Sequence, residues 1–427
     1  MAGITADEIL GYSPLNTGGA EPVPKFERKL AAEIYSFVSK KKRFVVAVDG
    51  LRRVGKSVLL KQTLNRLQKE GCNVFYFSFD KRAHQNAGVL EDVIGYFLRK
   101  DASCVMCLDE IGKVDDWAGV VKKHYDSSNA TFFVSSSAAL RVRQGKESLA
   151  GRMLNYTLPP LGFDEYLDLV GVGRGRRALD FSRPELRLAF REHLDGFFNR
   201  GSYPELSGVE DAGVVKNYIK NSTVEKMIFE DIPQTFKVQH VSKLLEIFEY
   251  FANYSGDFIH ERTISSAVGL SEPTVNDYVT YLEQSHLVKR IYTESNFLKG
   301  IRKKKKGFVA SPSIYSNTTS NFSQGKLVET AVFDKLRQYS PLTYYDEQKR
   351  EVDFVVRTKN GVYPIEVKSS GKVTLSDLPS LLHYLEKRRL ERGYVVYDGP
   401  FDVLSAQEKT IYLLPLSSFL AADSISF

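Results

Sequence analysis

Residues 44–57 read FVVAVDGLRRVGKS. An apolar run, 44–49, enters the loop Gly50-Leu51-Arg52-Arg53-Val54-Gly55-Lys56-Ser57. The chain leaves the loop as a helix, on which Leu59, Leu60, Thr63, Leu64 and Leu67 recur at helical spacing. The loop spells G-x-x-x-x-G-K-[ST], a phosphate-binding loop. Gly50 and Gly55 let the backbone turn tightly and approach an anion closely. The freed N–H groups and the helix N-terminus then cradle phosphate oxygens. Lys56 is placed to reach the β- and γ-phosphates and Ser57 to hold Mg²⁺, so ATP and Mg²⁺ are the expected cofactors.

Working outward, residues 74–79, 104–109, 131–136 and 155–158 read as further strands, with helices at 25–40 and 87–98. Strands alternating with helices predict an α/β fold, a parallel sheet with helices on both faces. The third strand ends in Leu108-Asp109-Glu110. At the carboxyl edge of such a sheet, where ligands bind, Asp109 would hold Mg²⁺ and Glu110 would orient and activate the attacking water. The fourth strand ends in Ser135-Ser136-Ser137, where Ser136 either reads a γ-phosphate or caps a helix. Among Arg141, Arg143 and Arg152, Arg152 is the first candidate for an arginine finger that stabilises transition-state charge. Cys104 and Cys107 sit at an odd separation in a strand and point to opposite faces, which excludes a metal or redox pair.

The phosphate loop, LDE, SSSAAL, SLAGR, LPPLGFDEYL and GSYPEL occur in order from residue 44 to about residue 206. Together they resemble AAA+-type ATPases of archaea and bacteria that carry a C-terminal restriction-endonuclease-like domain. The resemblance implies the sheet order of the additional-strand NTPases. A homo-oligomer, either a ring or a nucleotide-dependent assembly, is expected with it.

Residues 241–293 carry the pattern of a winged helix. A helix at 244–254 precedes a short helix at 263–268, and a second helix opens at Glu272 with Ser271 as N-cap and Pro273 in its first turn. A wing strand follows at 286–292. Glu272, Thr274, Asn276 and Asp277 would form the DNA-facing surface, and two acids there count against a major-groove reader. Residues 299–306, KGIRKKKK, read either as a phosphate-seeking patch or as a solvated loop.

A second constellation lies beyond. Helical period over 326–338 places Glu329 with Val332, Phe333 and Leu336, so a carboxylate points toward apolar packing. Residues 351–356 (EVDFVV) and 362–368 (VYPIEVK) flank Asn360-Gly361, a hairpin turn. Period two aligns Asp353 with Glu351 on one strand and Glu366 with Lys368 on the other. Carboxylates gather Mg²⁺, or Mn²⁺, through oxygen. A bound metal lowers the pKa of its water for phosphodiester cleavage, while Lys368 would position the nucleophile or neutralise developing charge. The set Glu329, Asp353, Glu366 and Lys368 resembles the PD-(D/E)xK nuclease fold, in which Asp353 and Glu366 would be metal ligands. One departure is Ser311, where relatives place an acid in a strand-end turn.

The chain has 427 residues, so two or three domains are expected. The divisions read as a 1–175 ATPase domain, a 176–240 helical lid or linker, a 241–295 winged helix and a 296–427 nuclease-like domain. A net charge of +7 leans toward a polyanionic partner such as DNA. No apolar run approaches a membrane span. Three cysteines exclude a disulfide framework and suit a cytoplasmic setting. The expected function is ATP-dependent DNA processing, with the ATPase coupled to a metal-dependent nuclease-like domain. The alternative is an ATP-controlled switch that binds DNA or protein without cutting. A remodelling ATPase with no nucleic-acid role is a third reading, which the basic run disfavours.

Overall fold

The computed structural model of the chain describes residues 4–40, 43–137, 149–172, 181, 183–294, 304–339 and 341–423. The chain forms two compact units. The first comprises Met1–Pro159 with two short returns, Glu230–Lys237 and Gln284–His286; the second comprises Pro160–Phe229, Val238–Glu283 and Leu287–Phe427.

The first unit is built on a five-stranded sheet: β1 (Val45–Asp49), β2 (Val74–Ser78), β3 (Val105–Asp109), β4 (Thr131–Ser136) and β5 (Met153–Thr157). Its order is β2-β3-β4-β1-β5 and every pairing is parallel. The fourth strand is therefore inserted between the loop strand and the Asp109 strand, the additional-strand order the resemblance implies. Helix α1 (Lys29–Val38) precedes β1, and α2 (Lys56–Lys69), α3 (Ala87–Lys100) and α4 (Trp117–Ser127) follow successive strands. Residues of β1, β2, β3 and β4 that point to one face (Ala47, Phe77, Leu108 and Val134) form one core with Leu90, Ile94 and Phe97 of α3 and Val121 of α4. The first three strands are buried along their whole length and largely apolar up to their last residues, Asp49, Ser78 and Asp109, as strands covered on both faces are.

The N-terminal residues wrap over this sheet, and one side chain anchors them. β2 is an edge strand with unpaired backbone groups. Asn16 satisfies two of them as a neighbouring strand would: Tyr76 N–H donates to Asn16 Oδ1 (2.8 Å) and Asn16 Nδ2 donates to Tyr76 O (3.0 Å).

The second unit opens with helical segments, the first at Phe163–Leu169 and further ones between Pro184 and Phe229, and continues into a nine-stranded mixed sheet. Its strands are β6 (Phe258–Ile259), β7 (Val288–Thr293), β8 (Lys305–Val309), β9 (Leu342–Glu347), β10 (Arg350–Thr358), β11 (Gly361–Lys368), β12 (Arg392–Tyr397), β13 (Asp402–Ala406) and β14 (Lys409–Pro415). The order is β13-β14-β12-β11-β10-β9-β7-β8-β6. Helices α5 (Val241–Asn253), α6 (Glu261–Val268), α7 (Glu272–Gln284), α8 (Gln324–Leu336) and α9 (Pro379–Arg388) complete it. The strands either side of residue 295 belong to one sheet, because β7 pairs antiparallel with β8 and parallel with β9. β8 starts inside the stretch read as a basic loop. Ser311 is the N-cap of the helix Pro312–Thr318, its hydroxyl accepting from Ile314 N–H (3.3 Å), which is why a short polar residue suffices there.

Candidate functional site

The phosphate loop joins β1 to α2. Gly50, at φ +150°, presses against the chain that leaves β5, and a Cβ there would sit 2.2 Å from the Leu158 carbonyl oxygen. No other residue fits. Gly55, at φ +96°, is the left-handed residue that starts α2. Leu51 and Val54 are fully buried and pin the loop from below. Lys56 Nζ donates to the carbonyls of Gly50 and Leu51 (both 3.0 Å). Among the described residues this buried ammonium has no carboxylate partner. Its charge is met by backbone dipoles alone, so an anion delivered to the loop is favoured. Arg52 turns from the loop and pairs with Asp231 of the return segment through both carboxylate oxygens (2.8 and 3.0 Å). Arg53, at φ +64°, is exposed. Ser57 lies in the first turn of α2.

Asp109 and Glu110 stand at the carboxyl end of β3, beside the loop strand's neighbour β4. Both oxygens of Asp109 are engaged. Tyr76 Oη donates to Oδ2 (2.6 Å) and Ser135 Oγ donates to Oδ1. The same Ser135 hydroxyl accepts from Glu110 N–H (2.9 Å). Glu110, at φ +53°, turns its carboxylate to Ser137, whose N–H (3.3 Å) and Oγ (2.9 Å) both donate to Oε2. Burial, with the Asp109 charge beside it, raises the Tyr76 phenol far above its ordinary value, so it stays a donor. Ser136, Glu110 and Ser137 line a small cavity with Asp231, Gln234 and Thr235. The sequence reading singled out Ser136; the geometry gives the Asp109 and Glu110 contacts to Ser135 and Ser137, and adds Tyr76. The available signal for Tyr76 was a phenol in an otherwise apolar strand.

Arg152 immediately precedes β5, whose Met153 is level with Val45 at the start of β1. The phosphate loop begins at the other end of β1. Arg152 therefore lies at the far edge of the sheet from its own chain's loop, where it pairs with Asp126 (3.0 Å). It does not reach that site, which confines a finger role to a neighbouring copy. Arg141 and Arg143 lie outside the described residues.

In the second unit, Glu329 of α8, Glu351 and Asp353 of β10 and Glu366 and Lys368 of β11 come together. β10 and β11 are antiparallel with Phe354 opposite Ile365, which puts Asp353 beside Glu366 on one face. Val367 N–H donates to Asp353 Oδ2 (2.9 Å), and Lys368 Nζ donates to Glu366 Oε1 (3.0 Å). Glu366 Oε2 is buried with no hydrogen-bond partner. At the centre is a residue no motif indicated. Lys306 of β8 is 3% exposed and pairs with Glu329 (2.9 Å), Asp353 (3.4 Å) and Glu351. Burial alone would lower its ammonium; the three carboxylates outweigh burial and hold it well above the ordinary lysine value. Burial pushes Glu329 up to about 8 against the pull of Lys306. It pushes Glu366 up to about 8 as well, with the Asp353 charge adding to it. Gly256 leaves room for this cluster, since a Cβ there would lie 2.6 Å from Glu329 Oε2.

Among the described residues, no group of three or more His, Cys, Asp or Glu side chains is arranged to hold a metal. Glu329, Glu351 and Asp353 close on the Lys306 ammonium and Glu366 on Lys368 instead, so as arranged they do not fit a metal, and no cleavage step follows from them. Of the basic run, Lys305 is largely covered and pairs with Glu261 (2.9 Å), while Lys304 is exposed, 3.7 Å from Asp346. Lys299, Arg302 and Lys303 lie outside the described residues. On α7, the Asn276 amide oxygen accepts from Arg290 (3.0 Å), which also holds Glu283 (2.6 Å).

Three family models match successive parts of the chain. They are an AAA domain over residues 42–167, a domain of unknown function (DUF8612) over 191–325 and another (DUF4143) over 324–419. The chain is 23% identical over 328 residues to the uncharacterized protein MJ1544 of Methanocaldococcus jannaschii, covering 74% of this chain and 73% of that protein. It is 24% identical over 429 residues to the uncharacterized protein MJ1637 of the same organism, covering 92% and 87%. Among solved structures, AMPPCP-bound DnaA from Aquifex aeolicus is 14% identical with a TM-score of 0.26, covering 64% of this chain and 91% of that one. The first unit has the parallel sheet of a phosphate-loop NTPase, and the AAA-domain match falls on it.

Proposed function

We propose that this protein binds and hydrolyses ATP at the carboxyl edge of the first unit's sheet. The observation that carries the reading is the buried Lys56 ammonium, held in a glycine loop by carbonyls alone. Phosphate oxygens of ATP take up its charge. Ser57 and Asp109 would hold Mg²⁺, which when bound neutralises phosphate charge. Glu110 orients the attacking water and accepts its proton, and Ser137 holds the carboxylate that does so. The loop backbone from Gly50 to Ser57 binds the phosphates, with Ser136 beside the cavity that Glu110 lines. Lys56→Ala is expected to abolish binding of a fluorescent ATP analogue. Glu110→Gln is expected to keep binding while lowering turnover on the order of a hundredfold. Unchanged turnover in either variant rejects the assignment.

For the second unit we propose a winged helix over residues 241–295 (α5, α6 and α7 with β7) followed by a PD-(D/E)xK nuclease-like fold over 296–427, with DNA as the polyanionic partner and homo-oligomeric, cytoplasmic action. The convergence of Glu329, Asp353, Glu366 and Lys368 supports the nuclease-like fold. One observation favours the non-cutting alternative, an ATP-controlled switch that binds DNA or protein: Lys306 already sits among Glu329, Glu351 and Asp353 and pairs with all three. Incubating the purified chain with several DNA forms, Mg²⁺ or Mn²⁺, and ATP separates the two. Cleavage lost in Asp353→Ala establishes the nuclease; binding without cleavage establishes the switch.

A further inference from the structure

Tyr76 sits on the edge strand β2, opposite Cys107 of β3. Period two puts Cys107 and Asp109 on one face, so the Tyr76 ring lies one step below Asp109 and its hydroxyl reaches up to Oδ2 (2.6 Å). Ser135 of β4 reaches Oδ1 from the other side. The carboxylate is thereby clamped between two neighbouring strands, one hydrogen bond to each oxygen.

The tyrosine is itself held from two sides. Its backbone is bound by Asn16 through both N–H and C=O (2.8 and 3.0 Å). The ammonium of Lys61, on α2, lies 4.5 Å from its ring centre. That ammonium pairs with Glu21 (3.1 Å), and Glu21 accepts from Ser13 Oγ (2.6 Å). Asn16, Glu21 and Ser13 all belong to the N-terminal segment and are all buried. A buried phenol needs only one acceptor. A brace from the N-terminal segment and a cation from the loop's own helix exceed that need.

We infer that Tyr76 is a positioning residue for metal-dependent turnover: its hydroxyl fixes the rotamer of the Asp109 carboxylate, and the N-terminal segment fixes Tyr76. The inference rests on the assignment of Asp109 to Mg²⁺. Groups that orient a ligating carboxylate contribute about 10–100-fold to metal affinity or activity when removed. Two hydrogen bonds leave each Asp109 oxygen a further lone pair.

The test compares wild type, Tyr76→Phe and Asp109→Asn as full-length chains. ATPase rate is titrated against free Mg²⁺. Mn²⁺ binding with a non-hydrolysable ATP analogue is read by EPR, and fluorescent nucleotide binding is read in EDTA. Tyr76→Phe is expected to raise the Mg²⁺ needed for half-maximal rate about tenfold and to weaken Mn²⁺ comparably. Its metal-free nucleotide affinity should stay within about twofold of wild type. A lowered melting temperature with an unchanged metal requirement makes the tyrosine merely structural and overturns the inference, as does loss of metal-free nucleotide binding. If Asp109→Asn raises the requirement and Tyr76→Phe does not, the inference alone fails. If Asp109→Asn leaves it unchanged, the assignment of Asp109 falls and the inference falls with it. Should Tyr76→Phe not fold, Asn16→Ala, which releases the backbone brace along with the bond from Asn16 Nδ2 to Ile9 O (2.7 Å), must shift the Mg²⁺ requirement in the same direction; no shift overturns the inference.

Discussion

Lys56 and Lys306 are two buried lysines with opposite surroundings. They are 6% and 3% exposed. Lys56 has two carbonyl partners, and Lys306 has three carboxylates. Burial costs each ammonium its hydration. At Lys56 the compensation is partial, so an incoming anion completes it. At Lys306 the compensation is already supplied by fixed acids, and a further anion would meet negative charge. Burial alone therefore does not mark a ligand site; the sign of what remains uncompensated does.

The largest effect should come from removing the fully compensated cation. Lys306→Met leaves Glu329, Glu351 and Asp353 buried without it and should cost about 3–5 kcal/mol in urea unfolding. A loss under about 1 kcal/mol would show that water, not the lysine, solvates these acids.

The next effect is in pH. Glu366 titrates at about 8 in the folded chain against an ordinary 4.5. A carboxyl whose folded value is raised binds its proton more tightly folded than unfolded. It therefore lowers stability progressively as pH rises from its ordinary value to about 8, and no further above that. Glu366→Gln should remove this group's slope, gaining on the order of 3–4 kcal/mol at pH 8 relative to pH 5. An unchanged difference between unfolding midpoints at the two pH values would break the assignment.

Lys56→Met should shift intrinsic stability by less than about 1 kcal/mol, since no fixed anion loses a partner. The variant should instead lose the ligand effect. ATP at a hundredfold excess over its dissociation constant stabilises a binding protein by about 2.7 kcal/mol, and the variant's melting curve should not move with ATP.

The smallest effect is at Arg52. Asp231→Asn removes a carboxylate partner from the loop and should tighten ATP binding by about two- to threefold, the range of a partly exposed ion pair. Weaker binding in calorimetry would mean that Asp231 positions Arg52 for the nucleotide.

The two lysines also divide what was legible in advance. The loop around Lys56 could be read because its chemistry is local: eight consecutive residues carry the turn, the donors and the charge. The order of the strands that support it came from resemblance, and the structure agrees. Glu329, Asp353, Glu366 and Lys368 could be named from helical and strand periods. Lys306 could not, because it is one of four consecutive lysines with the same local appearance. Which one turns inward depends on β8 pairing with β7 and β6. β9 (LTYYDE) and β13 (DVLSA) are not legible because they are short and mix apolar with polar residues without alternation, and the start of β8 is not because it is two lysines.

By itself, then, the amino-acid order determined an α/β phosphate-loop unit and which side chains are able to bind anions or cations, since both follow from spacing within one element. Tertiary structure decided that Ser135 and Tyr76 clamp Asp109, that Arg152 stands far from its own loop, and that Lys306 rather than open space meets three carboxylates. Each of those depends on the register between strands distant in sequence, and register is set by packing over the whole sheet rather than by neighbours along the chain.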